Sequence, residues 1–124
     1  MDAPEEHRLV IKAITSGLSN CVYWKDDKTE HRIQSDGFLL GWTPKAIKRE
    51  LIHCVKSGAV SLRQVKEIRP EYKDHYRYFY DTALPVIDFE DGLYVEMVLH
   101  DQDEDCPVVV LVNAHPETQR KRLR

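Results

Sequence analysis

Apolar residues recur at helical spacing between positions 5 and 18, at Leu9, Val10, Ala13, Ile14 and Leu18. This spacing predicts an amphipathic helix that closes near Gly17. Residues 21–24 (CVYW) are too few for anything but a strand, the KDDKTE run after them reads as a turn, and residues 31–33 read as a returning hairpin strand. The best-marked element covers 44–57. Thr43 can cap it, Pro44 suits its first position, Ile47, Leu51, Cys54 and Val55 form one stripe, and Gly58 supplies a left-handed stop. Lys45, Lys48, Arg49 and Lys56 fall largely off the stripe, so the outer face of this helix is basic.

Beyond Gly58 the period changes from 3.6 to 2. Strands are predicted over 65–69, 76–84, 93–100 and 107–114, with FEDG (89–92) and QDEDCP (102–107) as turns. Pro85 restricts the second of these strands to an edge, a bulge or an end, and the apolar run PVVVLVNA predicts a last strand covered on both faces. The expected architecture is α+β: a central antiparallel sheet of about four strands in a meander, with the 44–57 helix and an N-terminal helix packed on it. Residues 1–116 read as one globular domain and 117–124 as a basic, flexible tail.

A length of 124 residues and an apolar share of 42% suit one core and exclude a low-complexity chain. The sequence has no apolar stretch of bilayer length and no signal-peptide pattern, and its three cysteines are widely spaced and odd in number. Together these features predict a cytoplasmic protein without a membrane partner, whose Cys21, Cys54 and Cys106 are small core residues or idle thiols.

The net charge of −3 conceals a strong asymmetry. Residues 44–77 carry nine Lys/Arg against four Asp/Glu, whereas 78–117 carry ten Asp/Glu and no cation. Such asymmetry fits a polar partner such as nucleic acid, and equally fits differently charged solvated faces.

No metal-ligand spacing, phosphate loop or nucleophile elbow is present, so neither a metal nor a cofactor is expected. What remains is a run of cations among aromatics: Lys66, Arg69, Lys73, His75 and Arg77 alternate with Tyr72, Tyr76, Tyr78 and Tyr80. Phosphates pair with cations while bases stack on rings, which is the chemistry of single-stranded RNA recognition. The same pattern also describes a half-buried strand whose rings pack inward while its cations snorkel. His115 closes the last strand, where an imidazole could move protons or simply leave the sheet ahead of Pro116.

Helix, basic helix and four-stranded meander, ending at His115, together resemble the RelE-like toxin and microbial ribonuclease (barnase–colicin–RelE) superfold over residues 43–116. The resemblance implies metal-free endoribonuclease chemistry on single-stranded RNA, driven through the 2′-hydroxyl. It casts Lys66, Arg69 and Arg77 as phosphate-holding cations and His115 as acid/base, and implies an antitoxin-like protein partner. The alternative is a non-enzymatic interaction domain that docks partners through its acidic hairpins.

Overall fold

The computed structural model describes residues 1–35 and 39–116. Its elements run α1 (Ala3–Thr15), a 3-10 turn (Ser19–Cys21), β1 (Val22–Trp24), α2 (Asp27–Ser35), α3 (Pro44–Ser57), β2 (Arg63–Lys66), β3 (Tyr78–Leu84), β4 (Leu93–Asp101) and β5 (Val108–Pro116). The five strands form one sheet in the order β1-β5-β4-β3-β2.

α3 forms as its punctuation dictates. Thr43 accepts the amide of Ala46, Pro44 stands at the first turn, and Gly58 adopts φ 77° to end the helix. Its stripe of Ile47, Leu51 and Cys54 is buried together with Leu9, Val10, Ala13 and Ile14 of α1. Both helices lie on one face of the sheet, over Tyr80, Leu84, Leu93, Val95, Met97, Leu99, Val109 and Leu111. The α+β architecture and the antiparallel meander β2-β3-β4-β5 are therefore as expected.

Three local expectations are corrected. Residues 27–35 form a helix, not a turn and a hairpin strand. Asp26 caps it by accepting the Thr29 amide at 2.8 Å, and a single buried side chain, Ile33, anchors it, too little to give an apolar period. β1 does not pair with that segment. It joins β5 in parallel (Val22 beside Val109), so the sheet has five strands and is mixed. Lastly, β5 is covered only in part on its second face. A register shift opposite Glu96 and Met97 inserts Val112 as an extra residue, so Val109, Leu111, Val112 and Ala114 are buried while Val108 and Val110 are half-buried.

The face away from α1 and α3 carries Tyr94, Glu96 and Val98 on β4, Asp81 and Phe79 on β3, and Arg63 on β2, by the alternation of the strands. Residues 67–77, linking β2 to β3, fold across this face. Arg69 reaches Glu96 on β4, Tyr76 meets His100, and the Tyr72 hydroxyl accepts from Lys25, just past β1.

The β3–β4 turn depends on Gly92, at φ 94°, where a Cβ would stand 2.9 Å from the Leu84 carbonyl oxygen. Gly92→Ala is expected to lower stability by about 1–2 kcal/mol from the left-handed backbone alone, with the close approach adding to it. Gly58→Ala has a similar φ and open space, so a larger drop in denaturation midpoint at Gly92 isolates the steric part.

Candidate functional site

The β2–β3 ladder continues one step past Lys66, the Glu67 amide donating to the Arg77 carbonyl at 2.9 Å. Between these residues the chain makes helix-like turns, with the amides of Tyr72 and Lys73 bonded to Arg69 and those of His75 and Tyr76 bonded to Tyr72. That winding returns Lys73 and Tyr76 over the end of β2. Lys66, Lys73, Tyr76, Arg77 and Tyr78 thereby line a cleft of about 350 Å³ together with Glu67.

Its electrostatics are one-sided. Among the described residues, Lys66 and Lys73 have no ion-pair partner. Arg77 lies over the Tyr78 ring at 5.6 Å and donates to the Met1 carbonyl at 2.6 Å. The one acid at the cleft, Glu67, is spoken for: Arg69 Nε and Nη2 reach its two oxygens at 2.8 and 2.7 Å. These hydrogen bonds hold the Glu67 carboxyl below its ordinary range.

Arg69 belongs to a longer polar chain under the 67–77 segment. Its Nη1 contacts Glu96 at 2.5 Å, and the Tyr94 hydroxyl bridges Glu96 Oε1 (2.9 Å) and Asp81 Oδ2 (3.0 Å). Arg63 closes the far end with two bonds to Asp81, at 2.9 and 2.6 Å. Asp81, Glu67 and Glu96 are all buried. Burial, reinforced by Glu96 and Asp81, pushes the Tyr94 hydroxyl far above its usual range, so it remains a neutral donor. No buried side-chain polar atom among the described residues lacks a hydrogen bond. This chain of ion pairs holds the β2–β3 connection onto the sheet.

The residues singled out in the sequence therefore separate. Lys66, Lys73, Arg77 and Tyr78 converge on the cleft, and His75 is exposed beside it, edge-on to Tyr76. Arg69 is engaged elsewhere: its charge is paired with two carboxylates, and its guanidinium lies over the rings of Tyr72 and Phe79. Tyr80 cannot stack on a base. It is fully buried on the helix side, donating to Glu6 at 2.7 Å and accepting from Gln64 at 2.8 Å.

His115 is also misplaced for the expected trio. It pairs with Tyr94 and stacks on that ring at 4.6 Å. Tyr78, opposite Lys66, is level with Leu99, five residues further along β4. At 3.4 Å per residue that is a separation of about 17 Å, and Tyr78 and Tyr94 point to opposite faces. His115 does not join Lys66 and Arg77 in one catalytic site.

Two groupings escaped the sequence reading. One is the polar chain, whose signal was a charged residue in the middle of each of two otherwise apolar or aromatic strands, Asp81 in YFYDTAL and Glu96 in LYVEMVL, which prove to be register partners. The other is a thiol pair, Cys21 and Cys106, 85 positions apart, for which nothing in the sequence signalled proximity. The acidic 102–105 turn is partly engaged within the chain, since Glu104 pairs with Arg8 at 2.8 Å and its carbonyl accepts from Lys12.

Among the described residues no cluster of three or more His, Cys, Asp or Glu is placed to hold a metal ion, and no helix is long and apolar enough to cross a membrane. The fold defines a two-layer α+β protein with a mixed five-stranded sheet and a basic cleft where β2 meets β3. Compared with family models, curated proteins and solved structures, the chain matches none.

Proposed function

We propose that this protein binds single-stranded RNA in the cleft formed by Lys66, Lys73, Arg77 and Tyr78. The observation that carries the reading is the convergence of three cations and a tyrosine ring from two strand ends and the loop between them, with the one carboxylate that lines the cleft, Glu67, neutralised by Arg69. Cations spaced around a cleft follow a phosphate backbone, and an aromatic wall accepts an unpaired base whatever its identity. The arrangement favours a single strand over a duplex, whose bases are already stacked.

Fluorescence anisotropy with a short labelled oligoribonucleotide tests this. Three phosphate contacts predict a slope of about −2 in log affinity against log salt, and each of Lys66→Gln and Lys73→Gln should reduce that slope by about 0.7. His115→Ala should bind like the parent. An affinity that ignores both salt and the lysine substitutions overturns the reading. Recovering the RNA after incubation adds a second readout. Products ending in a cyclic phosphate, lost in Lys66→Gln and retained in His115→Ala, would assign strand cleavage to the cleft itself.

A further inference from the structure

Cys21 ends the 3-10 turn that leads into β1 and is buried, whereas Cys106 lies half-buried on the β4–β5 turn, one residue before Pro107. Their Sγ atoms are 3.7 Å apart. The turn is held in this position from several sides. Glu104 pairs with Arg8 of α1, the Glu104 carbonyl accepts from Lys12, and Asp101 and Asp103 accept the amides of Asp103 and Asp105 at 3.0 and 2.9 Å. The parallel pairing of β1 with β5 secures the other side, fixing Val22 beside Val109. A disulfide needs S–S of about 2.05 Å, so the two sulfurs must close by roughly 1.7 Å, within the reach of side-chain rotation and a small shift of the turn.

We propose that Cys21 and Cys106 are a site of reversible intramolecular disulfide formation, with a low-molecular-weight disulfide as the oxidant. The more exposed Cys106, as thiolate, attacks one sulfur of the oxidant; a mixed disulfide forms and one small thiolate leaves. The Cys21 thiolate then attacks the Cys106 sulfur, the mixed disulfide breaks, and a second small thiolate leaves. The pair gives up two electrons and two protons, the oxidant takes both as two thiols, and a reducing thiol pool reverses each step. Cys54 takes no part. It is buried on α3 and its thiol donates to Glu50.

The consequence falls on β1, a three-residue edge strand whose pairing with β5 is the one parallel pairing among the described strands. Closing the bond ties the start of β1 to the turn that precedes β5, shrinking the entropy of the unfolded chain across a long loop. The oxidised protein should melt several degrees above the reduced one.

The test equilibrates the full chain in glutathione buffers from fully reduced to fully oxidised, followed by alkylation, intact mass and peptide mapping. Two thiols should become protected together at one ratio, the mapped link should join Cys21 to Cys106, and Cys54 should alkylate on unfolding. Two results would overturn the proposal: all three thiols still alkylatable at the most oxidising ratio, or oxidation that stops at a glutathione adduct on Cys106 or at dimers. Cys106→Ser, a near-isosteric change at a partly exposed position, should abolish the link while leaving the reduced melting temperature unchanged. If Cys106→Ser keeps a protected pair, that too overturns the assignment.

Discussion

Replacing Arg69 by alanine is expected to destabilise the protein by about 3 kcal/mol at neutral pH, because it strands two buried carboxylates. Glu67 and Glu96 have side-chain exposures of 0% and 7%, and Arg69 is the cation that neutralises both. The low end of the range for a broken buried pair applies, since the arginine itself is one-third exposed and its charge is partly screened. Acid should reveal the same interaction. The Glu67 carboxyl is held below its ordinary value, so its contribution to stability is complete above the unfolded carboxylate value of about 4.3 and fades as pH falls through the lower folded value. Without Arg69 the lowering cause is gone and burial remains, which favours the protonated acid. The variant should therefore regain stability relative to the parent as pH falls, and denaturant midpoints at pH 7 and pH 4 should converge. A gap that is constant with pH would show that Arg69 acts through packing on Tyr72 and Phe79 instead. The same variant bears on the cleft. Arg69 lines none of it, yet it holds the segment that carries Lys73, so RNA affinity should fall as that segment loosens.

Tyr80→Phe is the second large effect, about 2 kcal/mol of stability with no change in RNA affinity. Its hydroxyl donates to Glu6 Oε2 and accepts from Gln64 Nε2, and those two side chains come from α1 and β2. Removing one oxygen leaves a buried carboxylate without its donor and a half-buried amide with one bond fewer, while the apolar volume is unchanged. Burial pushes the hydroxyl of Tyr80 above its ordinary value, so it stays protonated across the working range and the loss should not vary around neutral pH. Urea unfolding measures the first half of the prediction and anisotropy the second. A loss of RNA affinity at unchanged stability would return Tyr80 to the surface role that the alternation of Tyr76, Tyr78 and Tyr80 suggested.

The contrast between these two side chains shows how far pattern reading extends. Alternation identified Tyr78 and Tyr80 as one face of one strand, which they are. It did not say which end of that face the helices cover. Glu6 and His7 of α1 lie over Tyr80, and α1 begins near Met1, so Tyr78 and Arg77 remain at the open margin. Lys66 and Arg69, three positions apart in the chain, diverged for a similar reason. Lys66 closes β2 against Tyr78, while Arg69 has already turned onto the opposite face to meet Glu96.

Local chemistry alone determined α1, α3 with its Thr43 cap and Gly58 stop, and the three hairpin-linked pairings of the meander, because each depends on residues close in sequence. It also placed Lys66, Lys73, Arg77 and Tyr78 in one neighbourhood, since they flank one short connection. Tertiary structure decided everything that depends on distant segments meeting: the parallel docking of β1 on β5, the helix at 27–35 anchored by Ile33, the separation of His115 from the cleft, and the thiol pair. The physical reason is that each of these contacts joins segments far apart in the chain, which no local spacing encodes. The polar chain is a further instance: a charged residue such as Asp81 or Glu96 in a strand is a defect until a partner from elsewhere neutralises it, and only the folded chain brings that partner within 3 Å.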